Sequence, residues 1–220
     1  MIKGVLLDFN GTLFFDSKYH ELAWQQVCEK MRGYPMSKDE IKNHTHGKNN
    51  EQIIDYITNG KLSREDNKKV SLEKEKMYRE MCLNDSANLK LAKGVEEFLD
   101  YLVSHHIPFT IASASIKENI DFFVETFNLS KWLDPQTIVY DDGTYPTKVE
   151  MFKQASENID VDIKECLILE DSISGIKYAK ECLVASIIAV NSDEYLQKYE
   201  QFDCLTKVIS DFSEFPYEIL

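Results

Sequence analysis

The sequence has no long apolar run and no cluster of positive charge, and each absence excludes a class of protein. The N-terminal apolar run from Ile2 to Leu7 is interrupted by Lys3 and is too short for a signal peptide or a membrane span. Among 220 residues, 38 are acidic and 25 are Lys or Arg, which gives a formal net charge of −13. General nucleic-acid binding and membrane adhesion rely on clustered Lys and Arg, so we expect neither.

The sequence also has no cysteine pair and no linker. Its five cysteines are scattered, and no two have the C-x-x-C spacing of a zinc ribbon or a redox site. Internal repeats, low-complexity tracts and Gly/Ser-rich segments are missing as well. We therefore expect reduced thiols, a cytoplasmic location and, given the size and the acidic surface, a monomer.

Apolar strand-like runs alternate with amphipathic helical patterns in most of the chain. The predicted strands are Val5–Phe9, Phe109–Ser113, Thr137–Tyr140, Cys166–Asp171 and Ala185–Val190. The predicted helices are Val95–Val103, Ile116–Phe127, Lys148–Glu157 and Gly175–Cys182. Such alternation is typical of βαβ units, and it predicts a Rossmann-like α/β fold whose parallel sheet is covered by helices.

The segment that follows the first strand has a different pattern. Four amphipathic helical patterns occur there, at Tyr19–Met31, Ser37–Glu40 (a capping box), Ile53–Ile57 and Ser63–Met81. No strand-like run interrupts them. The sequence therefore predicts an all-helical domain inserted into an α/β core domain. The predicted boundaries are residues 15–89 for the inserted domain and residues 1–14 with 90–220 for the core domain.

Polar side chains lie where the predicted strands end. Asp8 ends the first strand, Ser113 the next, and Glu170 and Asp171 a later one. Ligands of open parallel sheets bind at the carboxyl ends of the strands, so we expect these side chains to converge. Three carboxylates in one crevice repel one another unless a cation is present, and hard oxygen ligands suit Mg²⁺. The sequence therefore predicts a magnesium site.

A second set of residues has the groups that bind phosphate oxygens. Gly11 and Thr12 offer backbone N–H groups and a hydroxyl, and Ser113 and Ala114 lie near the start of a helix. Lys148, which opens another helix, is the candidate for balancing the phosphate charge. Alone, each is more often an ordinary turn residue, helix cap or surface lysine. Their joint arrangement favours a site for a phosphorylated ligand.

These motifs resemble the haloacid dehalogenase (HAD) superfamily, in particular its β-phosphoglucomutase-like branch with a helical cap. The matching residues are Asp8-Phe9-Asn10-Gly11-Thr12, Ser113, Lys148 and Glu170-Asp171-Ser172-Ile173-Ser174-Gly175. The resemblance covers the whole chain, although the usual Pro-x-Pro after the motif lysine is missing. It implies that the inserted helices form a cap, which closes over the site and selects the substrate.

The resemblance also implies roles for the motif residues. Asp8 attacks phosphorus and becomes an aspartyl-phosphate, while Ser113 and Lys148 hold the transferred group. The implied magnesium ligands are Asp8, the main-chain carbonyl of Asn10 and Asp171, with Glu170 close by. The implied activity is that of a phosphatase or a β-phosphoglucomutase-like enzyme acting on a small phosphorylated metabolite such as a sugar phosphate.

In the cap, the resemblance implies substrate contacts at His20, Gly47, Lys48, Asn50 and Lys74. Each of these residues also has a simpler interpretation. A polar residue on a cap helix or in a turn is as often an exposed, solvated side chain as a substrate contact. Both interpretations stay open for all five positions.

Asn10 departs from the family motif, which has an Asp here that acts as general acid and base. Asparagine cannot exchange a proton at any accessible pH. Losing such assistance typically costs about 10²–10⁴-fold in rate. Three explanations follow: a proton donor recruited from the cap, such as His20; a variant intended to trap an intermediate; or a binding protein that has lost catalysis. Metal and phosphate binding are expected to survive in each.

Three other classes of protein compete with this interpretation. A receiver-type signalling domain also uses strand-end carboxylates, Mg²⁺, a hydroxyl and a lysine, but it is shorter and lacks a long helical insertion. A dehalogenase needs the nucleophile Asp8 but no metal, and the pair Glu170 and Asp171 argues for a metal. A catalytically weak phospholigand-binding or sensor protein on the same scaffold is the main alternative to an enzyme.

Overall fold

The computed structural model describes residues 1–45, 48–191 and 196–220. The chain divides into two compact units, which are Met1–Phe15 with Lys90–Leu220, and Asp16–Leu89. We call the first the core unit and the second the helical unit. Gly47, one of the candidate substrate contacts, lies outside the described residues.

The core unit contains a six-stranded sheet in which all neighbouring strands are parallel. Its strands are β1 (Gly4–Leu7), β2 (Phe109–Ser113), β3 (Val139–Tyr140), β4 (Cys166–Glu170), β5 (Ser186–Val190) and β6 (Lys207–Ile209). They lie in the order β3-β2-β1-β4-β5-β6. The α-helices found in the described residues are α1 (Ser17–Arg32), α2 (Lys38–His44), α3 (Asn50–Thr58), α4 (Arg64–Asn84), α5 (Val95–Ser104), α6 (Lys117–Thr126), α7 (Lys148–Asn158) and α8 (Ile173–Glu181). The predicted Rossmann-like α/β fold is confirmed.

The sequence pattern does not predict β6. This edge strand has only three residues, and it begins with the exposed Lys207. Short, charged edge strands are one way in which sheets avoid pairing with other chains. Only Val208 and Ile209 follow Lys207 in this strand, and two apolar residues are too few to indicate a buried strand.

The register of the central strands brings their carboxyl ends to one edge. Leu7 of β1 is aligned with Ile111 of β2 on one side and with Leu169 of β4 on the other. Every residue of these three strands is buried, as is typical of parallel sheets. Phe152 of α7 packs in the same apolar cluster as the strands. A rigid sheet therefore positions whatever follows β1, β2 and β4.

The helical unit consists of α1 to α4 and has no strand among its described residues. The predicted capping box opens α2, where Ser37 and Glu40 bond each other's backbone, and Asn49 and Gln52 form a second one at α3. The buried face of α1 differs from a simple helical spacing, because Leu22 is 52% exposed while Trp24 is buried. No helix in the described part of the chain is long and apolar enough to cross a membrane.

Candidate active site

Asp8 directly follows β1, at the edge where the strands end. Its backbone N–H donates to the Leu169 carbonyl of β4 at 3.0 Å, which continues the strand ladder past the end of β1. The buried carboxylate accepts hydrogen bonds from the Thr12 hydroxyl at 3.2 Å and from the Lys148 ammonium group at 2.6 Å. The ladder and these two donors hold the carboxylate in one orientation.

The turn after Asp8 is closed by its own backbone. The Phe9 carbonyl accepts from the N–H groups of Thr12, Leu13 and Phe14 at 3.2, 2.8 and 3.0 Å. The Gly11 N–H donates to the Phe14 carbonyl at 2.8 Å. The backbone N–H groups of Gly11 and Thr12 are therefore engaged in forming the turn. A further contact of these residues with phosphate stays a prediction.

Gly11 allows the turn to lie against Asp171. Its φ is +76°, and a Cβ added there would lie 2.3 Å from Asp171 Oδ2, which is far inside van der Waals contact. A side chain at position 11 would therefore push the Asp171 carboxylate away. Glycine is required here both for the backbone conformation and for this contact.

We expect Gly11→Ala to destabilise the protein by about 2–4 kcal/mol, because it combines backbone strain with a steric clash. Gly143→Ala is the matched control. Gly143 has a φ of +83°, but apart from its two chain neighbours no described residue has an atom within 4 Å of its added Cβ. It should cost only about 1–2 kcal/mol of strain. Denaturant unfolding of both variants measures the difference, and equal losses would contradict the packing of Asp171 on Gly11.

Lys148 opens α7 and forms the cationic side of the site. A capping box of Thr147 and Glu150 starts this helix. The Lys148 ammonium group donates to Asp8 Oδ1 at 2.6 Å and also to Glu170 Oε1, and only 10% of its side chain is exposed. Burial alone would lower the pKa of Lys148, but the charges of Asp8 and Glu170 together raise it. The lysine therefore stays protonated.

Glu170 and Asp171 lie at the end of β4, and the first turn of α8 fixes them. Glu170 Oε2 accepts from the Ser172 N–H at 2.7 Å, and Ser172 Oγ in turn caps α8 by accepting from the Gly175 N–H at 2.9 Å. A Cβ at Gly175 would lie 1.9 Å from Glu170 Oε1. The segment Glu-Asp-Ser-x-x-Gly is therefore packed closely together. Ser172 forms hydrogen bonds with both Glu170 and Gly175, and the missing side chain of Gly175 leaves space for the Glu170 carboxylate.

Asp8, Glu170 and Asp171 form a carboxylate cluster in which one oxygen of each lies within 4.8 Å of the others and could hold a metal ion. Burial and the charge of Glu170 outweigh Lys148 and raise the pKa of Asp8 from 3.8 to about 7. Burial and the same neighbouring carboxylates raise the pKa of Asp171 well above its ordinary value. Three carboxylates against one lysine leave two negative charges when ionised. An all-oxygen set with this charge suits Mg²⁺.

Asn10 lies beside two hydroxyl groups at the end of β2. Its Oδ1 accepts from Ser115 Oγ at 2.6 Å, and the buried Ser113 hydroxyl is more distant at 3.5 Å. Ser115 was not among the candidate site residues, although a second hydroxyl two residues after the strand-end serine was visible in the sequence. The helix α6 begins only at Lys117, so Ser113 and Ala114 precede its first turn.

A buried polar network surrounds Lys74 in the helical unit. Its Nζ lies 2.6 Å from His20 Nδ1 and 2.9 Å from Glu75 Oε1, and the side chain is only 1% exposed. Asn50 Nδ2 donates to the same Glu75 oxygen at 2.7 Å. Burial lowers the pKa of Lys74. Lys74 and Asn50 are therefore bound to neighbours within their own unit and are not loose surface side chains.

His20 connects this network to Asp16. The His20 ring stacks on Tyr78, its Nε2 lies 3.3 Å from Asp16 Oδ2, and the Tyr78 hydroxyl donates to that oxygen at 2.5 Å. An ammonium donor at Nδ1 requires the His20 proton on Nε2, facing Asp16. Lys48 is exposed. Contacts of the substrate with His20, Lys48, Asn50 and Lys74 stay predictions.

Similarity to known proteins extends over nearly the whole chain. The family model described as haloacid dehalogenase-like hydrolase matches residues 5–189. A HAD hydrolase, family IA, variant 3, from Entamoeba histolytica HM-1:IMSS is 34% identical, with a TM-score of 0.92. That match covers 99% of this chain and 96% of the Entamoeba chain.

Two further solved structures are similar at lower sequence identity. β-Phosphoglucomutase from Clostridium difficile is 20% identical with a TM-score of 0.79, covering 100% of this chain and 95% of its own. A mutant of CbbY from Rhodobacter sphaeroides, with an aspartate replaced by asparagine and in complex with xylulose-(1,5)-bisphosphate, is 16% identical. Its TM-score is 0.78 over 97% of this chain and 96% of its own. These two share the fold. The family model and the Entamoeba relative lead to one conclusion: the chain belongs to the haloacid dehalogenase-like hydrolase family.

Proposed function

We propose that this chain is a Mg²⁺-dependent phosphoryl-transfer enzyme, a phosphatase or a β-phosphoglucomutase-like enzyme, that forms an aspartyl-phosphate on Asp8. The observation that carries the proposal is the surroundings of Asp8. Its carboxylate lies 2.6 Å from the buried ammonium group of Lys148 and close to the carboxylates of Glu170 and Asp171. A buried ion pair needs one carboxylate for its lysine, whereas three carboxylates need a further cation.

In the first step, an Asp8 oxygen attacks the phosphorus of a bound phosphate ester, and the bond from phosphorus to the leaving oxygen breaks. Lys148 favours the ionised form of Asp8 and offsets the negative charge of the transferred group. We propose Asp8, Asp171 and the main-chain carbonyl of Asn10 as metal ligands, with Glu170 nearby. When bound there, Mg²⁺ supplies charge neutralisation and alignment of the phosphoryl group.

In the second step, an acceptor oxygen attacks the same phosphorus and releases the Asp8 carboxylate. Water as acceptor gives inorganic phosphate, and a sugar hydroxyl gives a new phosphate ester. Both steps need a proton carrier, and Asn10 cannot act as one. The absence of a proton carrier costs about 10²–10⁴-fold in rate, or roughly 3–5 kcal/mol of barrier. We therefore expect donors with good leaving groups, such as acyl phosphates, to react fastest, and the aspartyl-phosphate to hydrolyse slowly.

We propose a small phosphorylated metabolite of the sugar phosphate class as the substrate. Two of the similar structures are a β-phosphoglucomutase and a CbbY mutant that holds xylulose-(1,5)-bisphosphate. Asn10 also favours a second function, the binding of such a ligand without turnover. Metal and phosphate contacts do not require a proton carrier at this position, so binding would persist where chemistry is slow.

A panel of sugar phosphates, xylulose-1,5-bisphosphate and acetyl phosphate, each assayed with and without Mg²⁺, separates the two functions. Phosphate release or transfer that EDTA abolishes supports the enzyme. Calorimetric binding that needs Mg²⁺ but gives no turnover supports the binding protein. If no compound is turned over and none binds, the result contradicts both functions.

We expect Mg²⁺ to raise the melting temperature more above pH ~8 than below pH ~6, because the metal binds only deprotonated carboxylates. Without metal, the folded Asp8 keeps its proton up to a pKa of about 7, whereas the unfolded one has the ordinary value of 3.8. Stability from this protonation is complete below pH 3.8 and is lost as pH rises through about 7. The raised pKa of Asp171 acts in the same direction.

Thermal unfolding with and without Mg²⁺ at the two pH values measures this effect. Asp171→Asn removes a proposed ligand and should reduce the Mg²⁺-induced shift at high pH. An equal shift at both pH values in the unmodified chain would contradict metal binding by these carboxylates.

A further inference from the structure

Tyr199 lies where the hydrogen-bond ladder between β4 and β5 ends. The last aligned pair of these strands is Glu170 with Ala189. The carbonyl oxygens of the next two residues, Asp171 and Val190, lie 2.7 and 3.0 Å from the Tyr199 hydroxyl. The phenol therefore connects the segments that continue β4 and β5, at the first position where the ladder no longer joins them.

The ring of Tyr199 is fixed in the protein interior. The residue is buried in the apolar cluster that also contains Ile187 of β5 and Ile176 and Ala179 of α8. A phenol held by its ring has little rotational freedom, so its hydroxyl is a donor at a set position. That hydroxyl has one hydrogen, and the shorter distance is the one to Asp171.

Asp171 is thus restrained from two sides. Its carbonyl oxygen faces the Tyr199 hydroxyl, and its carboxylate lies against Gly11, where an added Cβ would be 2.3 Å from Oδ2. Glu170 and Ser172, the residues on either side, are joined by a separate hydrogen bond of 2.7 Å. The short segment that carries the carboxylate is therefore closed by a hydrogen bond between its two ends and held at its centre by the Tyr199 hydroxyl.

We propose that Tyr199 is a positioning residue for the metal ligand Asp171, which rests on the magnesium site proposed above. Mg²⁺ demands near-ideal octahedral geometry with ligands at about 2.0–2.1 Å, whereas the larger Ca²⁺ accepts varied geometry. Loosening the Asp171 segment therefore weakens Mg²⁺ binding more than Ca²⁺ binding. Partners that orient metal ligands typically contribute about 10–100-fold to metal affinity.

Tyr199→Phe tests this role, since it removes the hydroxyl and keeps the buried ring. Calorimetric titration of the metal-free full chain with Mg²⁺ and, separately, with Ca²⁺ gives both dissociation constants. We expect the Kd for Mg²⁺ to rise by ~10-fold and the Kd for Ca²⁺ to rise by less. Circular dichroism and the melting temperature establish that the titrated variant is folded.

Tyr178→Phe is the matched control. Tyr178 packs against the same apolar cluster, and its hydroxyl has no hydrogen-bond partner among the described residues. Both Kd values should be unchanged in this variant. A Tyr199→Phe protein with the Mg²⁺ affinity and Mg²⁺/Ca²⁺ preference of the unmodified chain overturns the inference, whatever its melting temperature. An equal loss for both cations overturns it as well.

Asp171→Asn separates this inference from the proposed function. Loss of Mg²⁺ binding in Asp171→Asn, together with unchanged binding in Tyr199→Phe, leaves the metal site in place and overturns only the role of Tyr199. Unchanged Mg²⁺ binding in Asp171→Asn overturns the metal site itself, and the inference with it. Weaker Mg²⁺ binding in both variants supports the proposal, provided that Tyr199→Phe raises the Kd for Mg²⁺ more than the Kd for Ca²⁺.

Discussion

Replacing Asp8 by asparagine is expected to lower phosphoryl-transfer turnover by at least ~10⁴-fold. The amide has the shape of the carboxylate but no negative charge, so it cannot form the covalent bond to phosphorus. The backbone bond from residue 8 to the Leu169 carbonyl of β4 does not involve the side chain and should persist. Initial rates with the most reactive compound of the panel, at saturating Mg²⁺, measure the loss.

Asp160→Asn is the matched control for this change. Asp160 is an exposed residue in the turn after α7, and its φ of +56° is a conformation that asparagine tolerates. Its variant should keep the activity of the unmodified chain. A loss smaller than ~10-fold in Asp8→Asn would contradict a nucleophilic role, because an enzyme cannot retain most of its rate without its nucleophile.

Replacing Asn10 by aspartate is expected to raise phosphatase turnover on sugar phosphates by at least ~10-fold, and up to the 10²–10⁴-fold typical of general acid–base catalysis. A carboxyl group at this position can protonate the leaving oxygen and then accept a proton from water. The Ser115 hydroxyl, which donates to Asn10 Oδ1 at 2.6 Å, can donate equally to the new carboxylate and hold it in place. The gain should be largest for poor leaving groups and small for acetyl phosphate.

Asn84→Asp makes the same chemical change at an exposed position near the end of α4 and should leave turnover unchanged. This control separates a local acid from the effect of one more negative charge. No gain in Asn10→Asp would show that position 10 does not limit the chemistry.

The sheet and its strand-end carboxylates could be predicted from the sequence for a simple physical reason. A strand buried on both faces must be apolar along its length, so Asp8 after β1 and Glu170 at the end of β4 stand out against their own strands. The register of a parallel sheet then brings these ends together without further information. Their close approach to Lys148 follows from the start of α7, which the capping box of Thr147 and Glu150 fixes.

Other features could not be predicted, because the pattern of single residues does not contain them. Lys74 and Glu75 have the composition of a solvated helix face, yet both are buried in α4 and pair with each other at 2.9 Å. Tyr199 lies in a segment without strand or helix periodicity, and only the fold brings its hydroxyl to Asp171. Contacts of this kind depend on tertiary packing between distant parts of the chain.

The role of Gly11 could be predicted only in part. An Asn-Gly pair is typical of a turn, and Gly11 has the left-handed backbone, with a φ of +76°, that glycine adopts readily. The close packing of the Asp171 carboxylate on its α-carbon could not be predicted, since it joins residues 160 positions apart. The same glycine therefore serves both the turn and the orientation of a proposed metal ligand.

The most direct measurement is a search for the phosphorylated residue itself. The chain is incubated with acetyl phosphate and Mg²⁺, quenched in acid, and analysed by mass spectrometry of the intact protein and of its peptides. Because Asn10 should slow hydrolysis, we expect one phosphoryl group to accumulate on Asp8, to be removed by hydroxylamine and to be missing in Asp8→Asn. Turnover of acetyl phosphate without any adduct, or an adduct on a residue other than Asp8, would contradict phosphoryl transfer through Asp8.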